Sequence, residues 1–167
     1  MQMILIALGA NLDSRAGFPA QTLDAALAEI EQHGANVVGV SSYYVTPAWP
    51  DPSDPPFVNA VAQVATSLSP HALMELLHIT ETSFGRMRSA KNAPRTLDLD
   101  LIDYDGFVQG GPPVLPHPRI AERGFVLVPL AEIAPGWIHP VSGKSIANLI
   151  GALPQAQRNP ARLTSRS

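Results

Sequence analysis

The chain has no cysteine, which excludes a disulfide framework, a thiol nucleophile and a thiolate metal site. Long apolar runs are missing too. The one at the N-terminus, Ile4 to Leu8, covers five residues, far short of the roughly 18 that a membrane span needs. No basic segment precedes it and no small-residue cleavage pattern follows, so it reads as a buried first strand and not a signal peptide. Excess positive charge is absent as well. The formal net charge is −3, against the basic balance expected of a general nucleic-acid binder, although one polyanionic ligand could still occupy a local basic pocket. There is no long charged tract, and 46% of the 167 residues are hydrophobic, so folding is expected over disorder. That length allows one sizeable core. The reading is a soluble, cytoplasmic, monomeric protein with one domain over residues 1–154 and a flexible tail over 155–167.

What is present is a regular alternation of elements. Residues 2–8 read as a strand. Leu23, Ala26, Leu27 and Ile30 recur at helical spacing across 18–33, with Gly34 as a stop. The β-branched and aromatic run 36–46 predicts a second strand. Five prolines in the ten residues 47–56 then rule out helix or ladder and predict a stiff loop. Residues 57–67 alternate again as a third strand. Ser69-Pro70 supplies an N-cap and an N1 proline for a helix that stops near Gly85. After an exposed loop over 85–95, a fourth strand is expected at 96–104, followed by a turn at 110–113 and a helical patch at 120–131. The order β-α-β-β-α-β predicts an α+β, ferredoxin-like antiparallel sheet with both helices on one face and an accessory C-terminal segment.

The fourth strand carries the chemistry. In "TLDLDLI" the leucines Leu97, Leu99 and Leu101 take one parity and Asp98 and Asp100 the other, so the two acids share a sheet face. Their Cα atoms lie roughly 6.6 Å apart at strand rise. Two unneutralised carboxylates that close repel, and one tends to take up a proton. A divalent cation removes the conflict, and Mg²⁺ favours one or two carboxylates completed by water and phosphate oxygens. The plain alternative is a solvent-facing pair that aids solubility or binds arginines. Six of the eleven Lys and Arg residues fall between 86 and 123: Arg86, Arg88, Lys91, Arg95, Arg119 and Arg123. Guanidinium forks suit phosphate, and acids for Mg²⁺ beside arginines for phosphate are the kit of phosphoryl transfer. His117, between prolines in "LPHPR", could donate to a phosphate. Phe57 and Asn59 project together from the third strand, a ring to stack on a heterocycle and an amide to read its edge. Asp103 and Asp105 are left as surface residues.

"SGKS" at 142–145 imitates the end of a phosphate-binding loop, but the glycine needed five positions before Gly143 is Ile138. It reads as a turn into a short helix. An RNA-binding module has the same element order, yet the negative charge and paired aspartates oppose it. Another Mg²⁺-dependent nucleotidyl transferase stays open as a second rival.

Seven fragments in order, "ALGANL" (7–12), "YYVTPAW" (43–49), "FVNAV" (57–61), "GRMR" (85–88), "APRTLDLDLI" (93–102), "LPHPR" (115–119) and "RGFVLVPLAEIAP" (123–135), give a chain that resembles the 6-hydroxymethyl-7,8-dihydropterin pyrophosphokinases of folate synthesis. The resemblance implies transfer of the β,γ-diphosphate of ATP to the pterin hydroxymethyl group, releasing AMP. It implies two Mg²⁺ ions on Asp98 and Asp100, with Arg86 and Arg95 joining these aspartates in catalysis. Glu81, Arg86, Arg88, Arg95, Leu101, His117 and Arg123 would line the ATP site. Phe57 and Phe125 would sandwich the pterin, with Asn59 and the stretch Thr46, Pro47 and Trp49 at its edge. ATP and the pterin are the implied partners, with no membrane or nucleic acid. Family members often carry a tryptophan and a glycine where Lys91-Asn92-Ala93 stands here, which makes Trp49 a candidate cover for the pterin.

Overall fold

The fold is described from a computed structural model over residues 2–48, 50–87 and 94–164. Its first strand, β1 (Ile4–Ala10), is buried at every position. Such a run, apolar on both parities, belongs at the centre of a sheet covered on both faces. β1 lies between β4 (Phe57–Thr66) and β5 (Asp98–Tyr104), antiparallel to each. The far edge of β4 takes two shorter strands in succession, β2 (Ala35–Val40) and β3 (Tyr44–Thr46). The β-branched run over 36–46 is therefore two strands and not one. The break is at Ser41, whose side-chain oxygen accepts from the Val61 N–H while its own N–H donates to the Val61 carbonyl. A short polar side chain thus stands in for the missing ladder partner.

Helices α1 (Pro19–Gln32) and α2 (Pro70–Ser83) fall close to the expected spans. Both begin with a proline, and the Ser69 hydroxyl accepts from the Ala72 N–H at 3.1 Å to cap α2. They pack on one face of the sheet, where Leu23, Leu73 and Leu77 meet Ile6, Leu99 and Leu101. This is the α+β, ferredoxin-like arrangement expected from the element order, with strand order β5-β1-β4 and then β2 and β3. A small hairpin, β6 (Gln109–Gly110) and β7 (Val114–Leu115), follows β5.

The other face is not open. Helix α3 (Gly124–Ile133) lies across it, followed by α4 (Ile146–Gly151), and Val126, Leu127, Leu130 and Trp137 pack against Leu5, Val61 and Ile102. The platform that an RNA-recognition module would expose is therefore covered. A bulge in β5 decides which of its acids faces this layer. Leu5 pairs with Asp103 and Ile6 with Leu101, leaving Ile102 as the extra residue. Asp103 thereby turns onto the same side as Ile102. It is 3% exposed and accepts from the Trp137 indole N–H at 2.8 Å, so the surface position expected for it is corrected. The bulge saves a carboxylate from the apolar core under α1 and α2.

The turn spans Pro140, Val141 and Ser142, just ahead of Gly143 and Lys144, and the Ser145 hydroxyl caps α4 by accepting from Asn148 N–H at 3.1 Å. Of the stretch 155–167 expected as a flexible tail, the described residues 155–164 carry two short elements. A 3₁₀ turn at Gln155–Gln157 leads to β8 (Ala161–Arg162), which pairs with β3. No helix among the described residues is long and apolar enough to cross a membrane.

Candidate active site

The strand register brings the candidate residues to one end of the sheet. Gly9 faces Asp98 on one side and Asn59 on the other, and Asn59 faces Tyr44. With strands about 4.8 Å apart, Asp98 and Asn59 are separated by two strand spacings, on the order of 10 Å. Asp98, Asp100, Phe57 and Asn59 share the parity of Ala7 and Val61, the face on which α3 lies. They emerge where α3 begins, so Arg123 and Phe125 are set beside them.

The acids are held by arginines. Arg86 Nη1 lies 2.7 Å from Asp98 Oδ1 and 2.6 Å from Glu81 Oε2. Arg95 Nη1 is 3.2 Å from Asp98 Oδ2, and Arg123 Nη1 is 3.6 Å from Asp100 Oδ2. Three carboxylates thus meet three guanidinium groups. Burial and then the neighbouring Asp98 charge push the Asp100 carboxyl up to about 6, against the pull of Arg123, Arg86 and Arg95. The like-charge conflict inferred from the i, i+2 spacing is therefore present, and only partly relieved by the arginines.

Glu81, which the resemblance assigns to the nucleotide side, has a structural partner as well as Arg86. It is 2% exposed, and its Oε2 also accepts from the Leu99 N–H at 2.8 Å. That N–H points outward from β5, the edge strand of the sheet. On the same edge the His117 N–H donates to the Ile102 carbonyl at 2.9 Å. The imidazole Nδ1 accepts from the Arg119 N–H at 3.2 Å, which leaves the ring proton on Nε2 as a donor. Burial, with the nearby Arg123 charge, holds the His117 pKa down at about 4. The ring is neutral at pH 7.

One hollow reaches the charged cluster at Asp100 and a second lies beside the proline-rich loop. One of about 620 Å³ is lined by Leu77, His78, Asp100, Leu101, His117 and the 110–114 turn among others. The other, about 380 Å³, is lined by Thr46, Pro47, Ala48 and residues of the proline-rich loop. Asn59 sits beside the latter, its amide donating to Thr46 Oγ1 at 2.6 Å. Arg95 stands 6.0 Å from the Phe57 ring centre and Arg123 5.6 Å from that of Phe125, so a cation lies over each ring. Leu101 lines the larger hollow while packing in the main core. Arg88 and Trp49, together with Lys91, Asn92 and Ala93, lie outside the described residues.

Sequence reasoning missed two supports of this site. A Cβ at Gly9 would stand 2.9 Å from Asn59 Oδ1, so only glycine lets the amide lie against β1. Asn11, 3% exposed, accepts from Arg95 N–H at 2.8 Å and donates to the Pro55 carbonyl at 3.0 Å. It ties the segment before β5 to the proline-rich loop. Both residues stand in "ALGANL", but pattern alone assigned them no role.

Residues 5–135 match the family model of 7,8-dihydro-6-hydroxymethylpterin-pyrophosphokinase. The chain belongs to this family. It is 43% identical over 148 residues to a 2-amino-4-hydroxy-6-hydroxymethyldihydropteridine pyrophosphokinase of Synechocystis, covering 87% of this chain and 73% of that one. The pyrophosphokinase of the same name from Methylorubrum extorquens is 36% identical over 154 residues, 92% of this chain and 94% of the relative. In fold the chain is similar to the HPPK-DHPS protein of Plasmodium falciparum, with a TM-score of 0.69 at 13% identity over 89% of this chain. It spans 44% of that protein. As a pyrophosphokinase the chain is a transferase.

Proposed function

We propose that the chain transfers the terminal diphosphate of ATP to the hydroxymethyl group of 6-hydroxymethyl-7,8-dihydropterin with the help of Mg²⁺. The observation that carries this reading is the placement of Asp98 and Asp100 among three arginines at the mouth of a hollow that Asp100 and His117 line. The larger hollow, beside His117 and Leu101, takes the nucleotide. The smaller one, lined by Thr46, Pro47 and the proline-rich loop with Asn59 bonded to Thr46, takes the pterin.

The donor set suits Mg²⁺ in a particular way. Among the described residues no cluster of three or more His, Cys, Asp or Glu could hold a metal. Two carboxylates offer hard oxygen donors and leave the other positions to water and phosphate, the mode Mg²⁺ prefers over an all-protein cage. Two such ions, when bound, would acidify the hydroxymethyl oxygen and neutralise phosphate charge. Charge balance supports the pairing: three acids and three arginines already compensate each other, so cations and polyphosphate must arrive together.

The chain's own residues then act by position and charge. Arg86 and Arg95, which pair with Asp98, would be released to face phosphate oxygens if the aspartates held cations. His117 donates its Nε2–H to a phosphate oxygen. Arg123 at the start of α3 faces the charge that develops between donor and acceptor. The attack needs in-line alignment more than covalent help, and the row Asp98–Gly9–Asn59 fixes the spacing between the two substrates.

Incubation of the protein with MgATP and the pterin should release one AMP per pterin diphosphate formed. Release of pyrophosphate instead would identify a nucleotidyl transferase, and no product from folded protein would sink the reading.

A further inference from the structure

The C-terminal segment touches both α3, which opens with Arg123 and Phe125, and β3, which lines the hollow assigned to the pterin. It leaves α4 tied down by Arg158, whose side chain donates to the Leu153 and Gly151 carbonyls at 2.9 and 2.8 Å. It then crosses the first turn of α3. There the Gly124 N–H donates to Gln157 Oε1 at 3.3 Å, and a Cβ on Gly124 would meet the Gln157 carbonyl oxygen at 2.6 Å. Helix and segment are in backbone contact at that point, and only glycine permits it. Beyond it Ala161 and Arg162 pair with Val45 and Tyr44, and the Leu163 N–H donates to the Tyr43 carbonyl at 2.7 Å.

Of the two elements joined in this way, β3 lines the hollow and α3 carries the residues proposed to face the substrates. α3 opens with Arg123 as its cap residue and Phe125 in its first turn, while β3 ends at Thr46, the partner of Asn59. A second tie runs between the same pair. Glu132 of α3 accepts from Ser42 N–H and from the Tyr44 hydroxyl, both at 2.6 Å, and Arg162 Nη2 lies 3.6 Å from it.

We propose that residues 155–163 are a strap that sets the separation of α3 from β3, with Gln157 as a positioning residue for Arg123 and Phe125. This rests on the functional reading above. The first turn of α3 needs such a restraint, because Pro129 has no N–H to offer the Phe125 carbonyl four residues before it. Part of the helix ladder that would stiffen this turn is lacking, and contact with Gln157 supplies the constraint from outside.

The test compares Gln157→Leu, Gln157→Glu, Gly124→Ala and Arg162→Ala in the full chain. Steady-state constants for both substrates, the thermal midpoint and amide hydrogen exchange over 124–127 are measured for each. Loss of one neutral hydrogen bond corresponds to about fivefold, so Gln157→Leu should lower kcat/KM for the pterin by about that factor. Exchange over 124–127 should be faster. Gln157→Glu keeps the acceptor and should restore wild-type values, a rescue that a purely structural role would not require. Gly124→Ala should act in the same direction and more strongly, and if it fails to fold the Gln157 pair carries the test. Arg162→Ala should raise the pterin KM about twofold, with the KM for ATP unchanged. If Gln157→Leu lowers the thermal midpoint but leaves both the pterin constants and the exchange rates alone, the strap only holds the fold and the proposal is overturned. If the wild type makes no pterin diphosphate, the functional reading fails. The strap is then judged by exchange over 124–127: acceleration in Gln157→Leu supports it and wild-type rates refute it.

Discussion

The two halves of the site are built on opposite principles. At the start of β5, order comes from charge: Arg86 bridges Glu81 and Asp98 within 2.7 Å, and Arg95 and Arg123 face the remaining carboxylate oxygens. Beside β3 and β4, order comes from neutral hydrogen bonds and close packing, with Asn59 held between Thr46 and the bare Cα of Gly9. Charged pairs tolerate exchange of partner, because a guanidinium that leaves a carboxylate can satisfy a phosphate. A neutral amide wedged against a glycine has no such latitude. The first half suits a ligand that arrives with its own counter-ions, the second a rigid heterocycle that must be read by shape.

Breaking the charged half should have the largest effect. Asp98→Ala and Asp100→Ala should each lower turnover by about a thousandfold or more, since an electrostatic group acting on a transition state contributes on that order. Circular dichroism and thermal unfolding should show an intact fold. Near-normal rates in both would remove the metal assignment. In the neutral half, Asn59→Ala should raise the pterin KM by about tenfold, the value of one or two hydrogen bonds, with kcat little changed. Gly9→Ala sharpens the contrast. Its Cβ would displace the Asn59 side chain by a few tenths of an ångström, so the pterin KM should rise several-fold while the KM for ATP holds; an equal rise in both would mean that the two halves are not separable.

The smallest effect is on stability against pH. Burial depresses the His117 pKa to about 4, so between about 6.5 and 4 the unfolded chain binds more protons than the folded one. Stability from this group is full above pH 6.5 and lost as pH falls through that window. Asp100 works the other way. Its pKa is raised to about 6, so between about 4 and 6 the folded chain binds more protons and stability declines as pH rises. Denaturant unfolding of Asp100→Asn should therefore show a steeper loss on acidification than wild type, and His117→Asn a shallower one. Parallel curves for all three proteins would contradict both assignments.

Much of this was legible in the sequence because it obeys a short period. The alternation of Leu99, Asp100 and Leu101 determines their faces without any knowledge of neighbours, and Ser69-Pro70 marks the start of α2 by local chemistry alone. What pattern could not supply depends on long-range contact. The break at Ser41 sits inside a continuous β-branched run and shows itself only through the pairing with Val61. Asp103 is buried because a bulge opposite Leu5 and Ile6 turns it, which no window on β5 contains. The segment over 155–163 has no period of its own. Its order comes from backbone bonds to Tyr43 and Val45 and from the fit against Gly124. The resemblance matches Glu81 to the nucleotide side, but its bond to the Leu99 N–H depends on β5 being the last strand of the sheet.

That last bond has a consequence for solubility. An edge strand with unpaired N–H and C=O groups invites a strand from another molecule. On β5 the Leu99 N–H is taken by the Glu81 carboxylate and the Ile102 carbonyl by the His117 N–H, two residues of the candidate site. The same residues that shape the site thus close the sheet against its own copies. A Glu81→Ala chain would lose this closure together with its hold on Arg86, and its first visible defect would be self-association on concentration.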